Sequence, residues 1–367
     1  MALAIRKDGT LLRDGRPWAG IGVNYVDCFW RTLDRADDDS FREGFAHLAD
    51  MGIPFVRFAA GGYWPADWRV HRSDPRDHWR RLDRVVNAAE RNGIGLVPSL
   101  FWHYATFPDL AGEPVSAWGR NDSRTRRMAA EYARDLVTRY RRSTAIWAWE
   151  FGNEHNLPAD LPNAAEHRPQ IAADRGTPAK RGPLDDITHD AFRSALRHFG
   201  DVVRQLDPDR PISSGHAFPR PTAWHQRREN SWAPDTEGQF AEMIAADNPD
   251  PVNTLGGHLY QDGNRRFGRP FDADDLLRNA MTTARATRKP LFVGEFGAAK
   301  SDGDAAFESL LGAIERNRVP LAALWVYDFT PQEADMNVSR RNSRAHLLDR
   351  IRESNRRRNP TGNPPAR

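Results

Sequence analysis

The sequence predicts an α/β fold, a single-domain (β/α)8 TIM barrel. Three observations predict it: a recurring helix–breaker–strand grammar, a count of eight strand candidates, and near-continuous apolar character inside them. Segments 41–60, 81–101, 276–296 and 310–329 each pass from an amphipathic helix through a stop into a short β-rich run. In the first, apolar Phe41, Phe45, Leu48 and Met51 recur at helical spacing until Gly52 ends the pattern before IPFVRF. Asn92-Gly93, Pro290 and Pro320 punctuate the others. A helical period that repeatedly gives way to a β run marks βα units around a parallel sheet.

Taken in order, LLRDGRPWAG comes first, and its Asp14-Gly15 pair predicts a hairpin closing the barrel bottom. IGVNY (21–25), PFVRF (54–58) and GLVPSLF (95–101) are the first three barrel strands. AIWAWEF (145–151) is the fourth, and it runs into two acids, an amide and a histidine within WEFGNEHN. PISSGH (211–216), NTLGGHLY (253–260), LFVGEF (291–296) and LAALWVY (321–327) complete the eight. Their apolar character fits strands buried on both faces. Closing eight such strands places chemistry at their C-terminal ends. A doubly wound open sheet is disfavoured, because no Gly-rich phosphate fingerprint follows the first strand. Residues 155–190 are the longest irregular stretch and, coming after strand four, read as a lid over the site. The catalytic barrel with its hairpin is expected over 1–350, and 351–367 reads as a basic, disordered tail.

At 367 residues, 39% hydrophobic with 12 Trp and 18 Phe, the chain can bury one large core. Fifty-three bases against 50 acids leave +3, which argues against a nucleic-acid partner. No apolar run approaches the ~20 residues of a membrane span, so no membrane partner is expected. The single Cys28 excludes an intrachain disulfide and argues against a cysteine metal site. The first 18 residues lack the basic-then-apolar pattern of a secretion signal, so a cytoplasmic location is expected.

Polar residues at or near the strand ends are Arg57, His103, Asn153, Glu154, His216, His258, Tyr260 and Glu295. Burying an ionised acid is costly unless it is paired or used, so Glu154 and Glu295 on strands four and seven stand out. Two facing carboxylates are the minimal equipment for cleaving a glycosidic bond. Glu150 shares strand parity with Glu154, which turns it into the barrel as a salt-bridge partner, most simply for an arginine. His216 reads as structural. His103 and His258 lack a third ligand at metal spacing, so no metal is expected.

FGNEHN and FVGEFG resemble the two catalytic signatures of glycoside hydrolase family 5, the cellulase and mannanase family of clan A. The resemblance covers about residues 15 to 330. It implies a retaining enzyme that cleaves β-glycosidic bonds in a glucan- or mannan-type oligosaccharide or polysaccharide by double displacement, without a cofactor. It further implies that Glu154 is the acid/base and Glu295 the nucleophile. Arg57, His103, Asn153, His258, Tyr260 and Trp325 match the family's substrate-site positions. Chemistry fits those roles. Arg57 and Tyr260 would lower the pKa of Glu295, and the Glu295 charge would raise that of Glu154. Of the top-face tryptophans 30, 64, 68, 102, 118, 224 and 232, Trp102 is the expected sugar contact, together with Trp325. The alternatives are a transglycosylase using the same site and a carbohydrate-binding barrel that no longer cuts.

Overall fold

The computed structural model describes residues 3–261 and 265–359. Eight parallel strands form the barrel: β1 (Gly20–Asn24), β2 (Phe55–Ala59), β3 (Gly95–Phe101), β4 (Trp149–Gly152), β5 (Ile212–Ser213), β6 (Leu255–Tyr260), β7 (Leu291–Gly297) and β8 (Leu321–Leu324). Hydrogen-bonded neighbours run from β5 back through β4, β3, β2 and β1, then β8, β7 and β6. The expected barrel is what the chain forms. Nearly every strand residue is buried, as the apolar runs require.

Eight principal helices alternate with the strands: α1 (Phe41–Asp50), α2 (Pro75–Arg91), α3 (Arg124–Tyr140), α4 (His189–Leu206), α5 (Glu237–Ala246), α6 (Ala273–Thr287), α7 (Asp304–Arg316) and α8 (His346–Arg358). Local chemistry starts them. Asp74 caps α2 and is followed by Pro75 at the first helical position, and Ser123, Thr188, Thr236 and Asp272 cap α3, α4, α5 and α6. Among the described residues, no helix is long and apolar enough to cross a membrane.

β4 and β5 are shorter than expected; Gly215, two residues beyond the end of the two-residue β5, turns the chain away with φ of +70°. Between β5 and β6, a backbone bond from Asn253 N to Ile212 O at 3.2 Å is supplemented by side chains. Asn253 Oδ1 accepts from Ile212 N at 2.8 Å, and Asn248 Oδ1 accepts from Ser214 Oγ at 2.6 Å and Gly256 N at 3.2 Å. A three-stranded antiparallel sheet lies against the bottom of the barrel, with its second turn at Asp14-Gly15. Its Leu3 and Leu11 pack with Phe55, Val97, Trp147, Phe292 and Leu321.

One expectation is corrected. The disordered tail does not begin at 351: α8 runs to Arg358, buries Leu347, Leu348, Ile351 and Ser354, and ties Asn355 to both backbone groups of Ile21 at 2.8 Å. The tail from 360 on lies outside the described residues. The 155–190 connection is irregular, as expected, until α4 begins at His189. It contains three short 3-10 turns and is pinned by a nearly buried ion pair of Arg181 with Asp109 at 2.6 Å.

Candidate active site

The centre of the barrel mouth is organised around Arg57, which β2 delivers to a fully buried position. Nε donates to Glu150 Oε1 at 2.7 Å, Nη1 to Glu295 Oε1 at 2.8 Å and to Asn24 Oδ1 at 3.0 Å, and Nη2 to Asn153 Oδ1 at 2.7 Å. One guanidinium thus gathers side chains from β1, β4 and β7 and from the turn after β4. The planar fork of arginine suits this, since its donors leave in fixed directions. The guanidinium also lies 4.6 Å above the Trp102 ring.

Glu295 sits on the far side of Arg57. Its second oxygen accepts from the Tyr260 hydroxyl at 2.6 Å. A register shift between Val293 and Glu295 in the pairing with β6 marks a bulge at Gly294, whose carbonyl accepts from Asn24 Nδ2 at 2.9 Å. Bulges re-aim side chains, and this one turns Glu295 toward the barrel axis. A Cβ on Gly294 would come within 3.0 Å of His258 Nε2.

Glu154 faces Glu295 from the end of β4. It has φ of +53°, a left-handed backbone uncommon for a non-glycine residue, and its amide donates to Gly215 O at 2.9 Å. His258 Nδ1 lies between the two acids, 2.8 Å from Glu154 Oε1 and 3.4 Å from Glu295 Oε2. The three atoms fall within 4.8 Å of one another. Glu154 keeps 30% of its side chain exposed against 4% for Glu295, so Glu154 is the acid open to the cleft. A histidine and two carboxylates at this spacing are also a set that could hold a metal ion. Here the imidazole nitrogen is engaged with Glu154.

Burial pushes the Glu295 carboxyl up, the facing Glu154 charge adds to this, and His258, Arg57 and Tyr260 oppose it without cancelling it. Burial also raises Glu154, but the His258 hydrogen bond and charge, with Arg57, outweigh it and hold Glu154 below the usual range. The sequence had suggested the reverse for both. For Glu154 the difference comes from His258, which the sequence placed near the substrate and the structure places on Glu154; for Glu295 it comes from burial.

The geometry of this mouth on a (β/α)8 barrel agrees with a family comparison: the model of cellulase (glycosyl hydrolase family 5) matches residues 20–329. The chain belongs to this family. Curated family relatives include a mannan endo-1,4-beta-mannosidase A of Hypocrea jecorina, 27% identical over 38% of this chain and 36% of its own length. A probable mannan endo-1,4-beta-mannosidase C of Aspergillus terreus is 35% identical over 23% of each. The alignments thus span well under half of these relatives. Among solved structures, an endo-1,4-beta-mannanase from Rhizomucor miehei shares the fold with a TM-score of 0.68 at 14% identity, covering 97% of this chain and 100% of that one. An exo-beta-1,4-mannosidase from an Opitutaceae bacterium gives 0.64 at 19%, covering 97% and 63%.

Within the family 5 barrel, Arg57, Asn153, Glu295 and Tyr260 form one hydrogen-bonded group, and the hydrogen-bonded pair Glu154–His258 lies against it, with His258 Nδ1 3.4 Å from Glu295 Oε2. Trp325 stacks on Trp102 with centroids 6.2 Å apart and donates its indole N–H to Gln332 at 2.8 Å. Trp102 itself is 6% exposed, held between Arg57 and Trp325, and so supports the floor rather than offering an open face. His103 stands apart, stacked on Tyr63 at 4.8 Å and bonded to Thr106, and burial pushes its pKa down to about 4. Trp68 and Trp118 are core residues, whereas Trp232 is exposed. Glu150 lies beneath Arg57, fully buried, as its strand parity indicated. His216 is buried as well. Asn24 was missed, although the polar residue near the end of an otherwise apolar IGVNY run was a signal of the same kind as Glu154.

Proposed function

We propose that the chain is a retaining glycoside hydrolase that cleaves β-1,4-linked mannan-type oligosaccharides by double displacement. The observation that carries this is the Glu154–Glu295 pair, whose facing oxygens lie within 4.8 Å. Retaining pairs stand ~5–5.5 Å apart, whereas inverting pairs leave ~6.5–9.5 Å for a water. Glu295, with Arg57 and Tyr260 on its two oxygens, is the nucleophile: it attacks the anomeric carbon and forms a covalent glycosyl ester. Glu154 gives a proton to the departing oxygen. His258 Nδ1, 2.8 Å from Glu154 Oε1, is the group placed to exchange that proton with Glu154. Once Glu295 is esterified its charge is gone, and Glu154 takes a proton from the water that releases the sugar.

Asn153 accepts from Arg57, and its NH2, which has no hydrogen-bond partner among the described residues, can donate to a sugar hydroxyl beside the reacting carbon. The half-buried Trp325 ring supports the sugar face. The names of the curated relatives favour mannan over glucan. The 153–188 connection favours short oligosaccharides, because it crosses from β4 over the loop after β3 until Gly176 meets Pro65 after β2. Product analysis on mannohexaose and cellohexaose, with Glu295→Ala as control, tests the reading. Faster cleavage of mannohexaose, retention of anomeric configuration and loss of activity in the variant are expected. Equal cleavage of both would remove the mannan preference, and full activity of Glu295→Ala would overturn the mechanism.

A further inference from the structure

Glu150 is an acid the chemistry above does not use, yet it is tied to the residues that do. Its carboxylate is fully buried, accepts from Arg57 Nε at 2.7 Å and receives the Ser213 hydroxyl from β5 at 3.2 Å. The fold makes room for it. A Cβ on Gly215 would stand 2.9 Å from the Glu150 carboxyl carbon. The same Arg57 meets Glu295 at 2.8 Å with its other edge. One buried cation therefore serves two buried anions, on opposite edges of a single planar group.

We propose that Glu150 is a positioning residue that divides the charge of Arg57, leaving Glu295 less stabilised and hence more nucleophilic than a private Arg57–Glu295 pair would. The idea rests on Glu295 being the nucleophile. The groups around this pathway are Asn24 from β1, Ser99 in register on β3, Ser213 on β5, His258 and Tyr260 on β6, and Glu154 beyond them. Among these, Glu150 is the charged group that touches Arg57 from the side away from the cleft. It never contacts substrate. Its effect on the reaction passes through the guanidinium.

Glu150→Gln isolates the effect. The amide is isosteric, keeps an oxygen for Arg57 Nε and removes one negative charge. Arg57 and Glu295 then form a neutral buried pair, so the variant is expected to fold. Charges this close inside a protein interact strongly enough to move a titration by about one pH unit, a tenfold change in proton affinity. The expected result is that the acid limb of kcat/KM, set by ionisation of Glu295, moves about one unit lower while kcat/KM on the plateau falls severalfold. Glu150→Asp keeps the charge, so its limb stays at the wild-type position even as kcat falls. A merely structural Glu150 would lower the melting temperature and leave both limbs in place.

Carboxyl titration by NMR on protein carrying 13Cδ-glutamate, with the Glu295 signal assigned by its loss in Glu295→Gln, reads the same midpoint without turnover. A chain inert on every glycoside would defeat the proposed function and still leave this titration to judge Glu150. An unmoved Glu295 midpoint in Glu150→Gln, equal shifts in Glu150→Gln and Glu150→Asp, or an unfolded Glu150→Gln protein each overturn the proposal.

Discussion

Replacing Tyr260 by phenylalanine removes one oxygen and with it the 2.6 Å hydrogen bond that Glu295 Oε2 accepts. A hydrogen bond to a charged group contributes ~1.5–3 kcal/mol, and each 1.36 kcal/mol is about one unit of pKa. The hydroxyl favours the ionised form of Glu295, so losing it raises the Glu295 pKa beyond the rise that burial already imposes. The acid limb of kcat/KM should therefore move up by about 1–2 units. Below the limb, activity falls ~10–100-fold, because a smaller fraction of the nucleophile is ionised; above the displaced limb it recovers. The assay is the pH profile of kcat/KM on an aryl β-mannoside for both proteins. A limb that stays in place, or moves down, would refute the assignment of Tyr260 as a donor to the nucleophile. The opposite sign expected for Glu150→Gln makes the two variants mutual controls.

Gly215→Ala should cost ~2–5 kcal/mol by chemical denaturation, combining a left-handed backbone worth ~1–2 kcal/mol with overpacking of ~1–3 kcal/mol. The added Cβ would lie 1.8 Å from Gly152 O, so a variant with unchanged stability would show that the β4–β5 junction is looser than described. Acid should weaken the fold early. Burial lowers His78 and His155 to about 3 and His103 and His216 to about 4. Unfolded histidines bind protons below ~6.5 while these stay neutral in the fold, so stability is complete above that pH and is lost as pH falls toward 4. Melting temperature measured from pH 7 to 5 should drop steadily, and a flat profile would refute the burial of these rings.

Much of this was legible because the signals were strong and local. Strands covered on both faces must be apolar, so polar residues at their ends were conspicuous, and depth along β4, not alternation, separated Glu150 within the strand from Glu154 beyond its end. The rest lay in relations between distant segments. Nothing in LFVGEF shows that Gly294 bulges, because the bulge is defined by the register with β6 and held by Asn24 on β1. His258 was visible as a site residue, but its bond to Glu154 spans 104 positions. That bond reversed the expected direction for Glu154, and burial reversed it for Glu295. The C-terminal helix was hidden by composition: RESNRRR is polar, yet its few inward positions suffice once Asn355 secures Ile21 and Arg358 reaches the carbonyls of Ile314 and Val319. The seam between β5 and β6 depends on the Asn248 and Asn253 side chains, which carry no strand signal.

The left-handed backbone of Glu154 has an evolutionary consequence. A side chain at φ of +53° costs about 1–2 kcal/mol that glycine avoids. Drift under selection for folding alone would therefore favour discarding the carboxylate at 154, and each generation that keeps it reports selection on something other than stability. The position serves as a record: a descendant barrel that had lost its chemistry would show glycine here before its core changed.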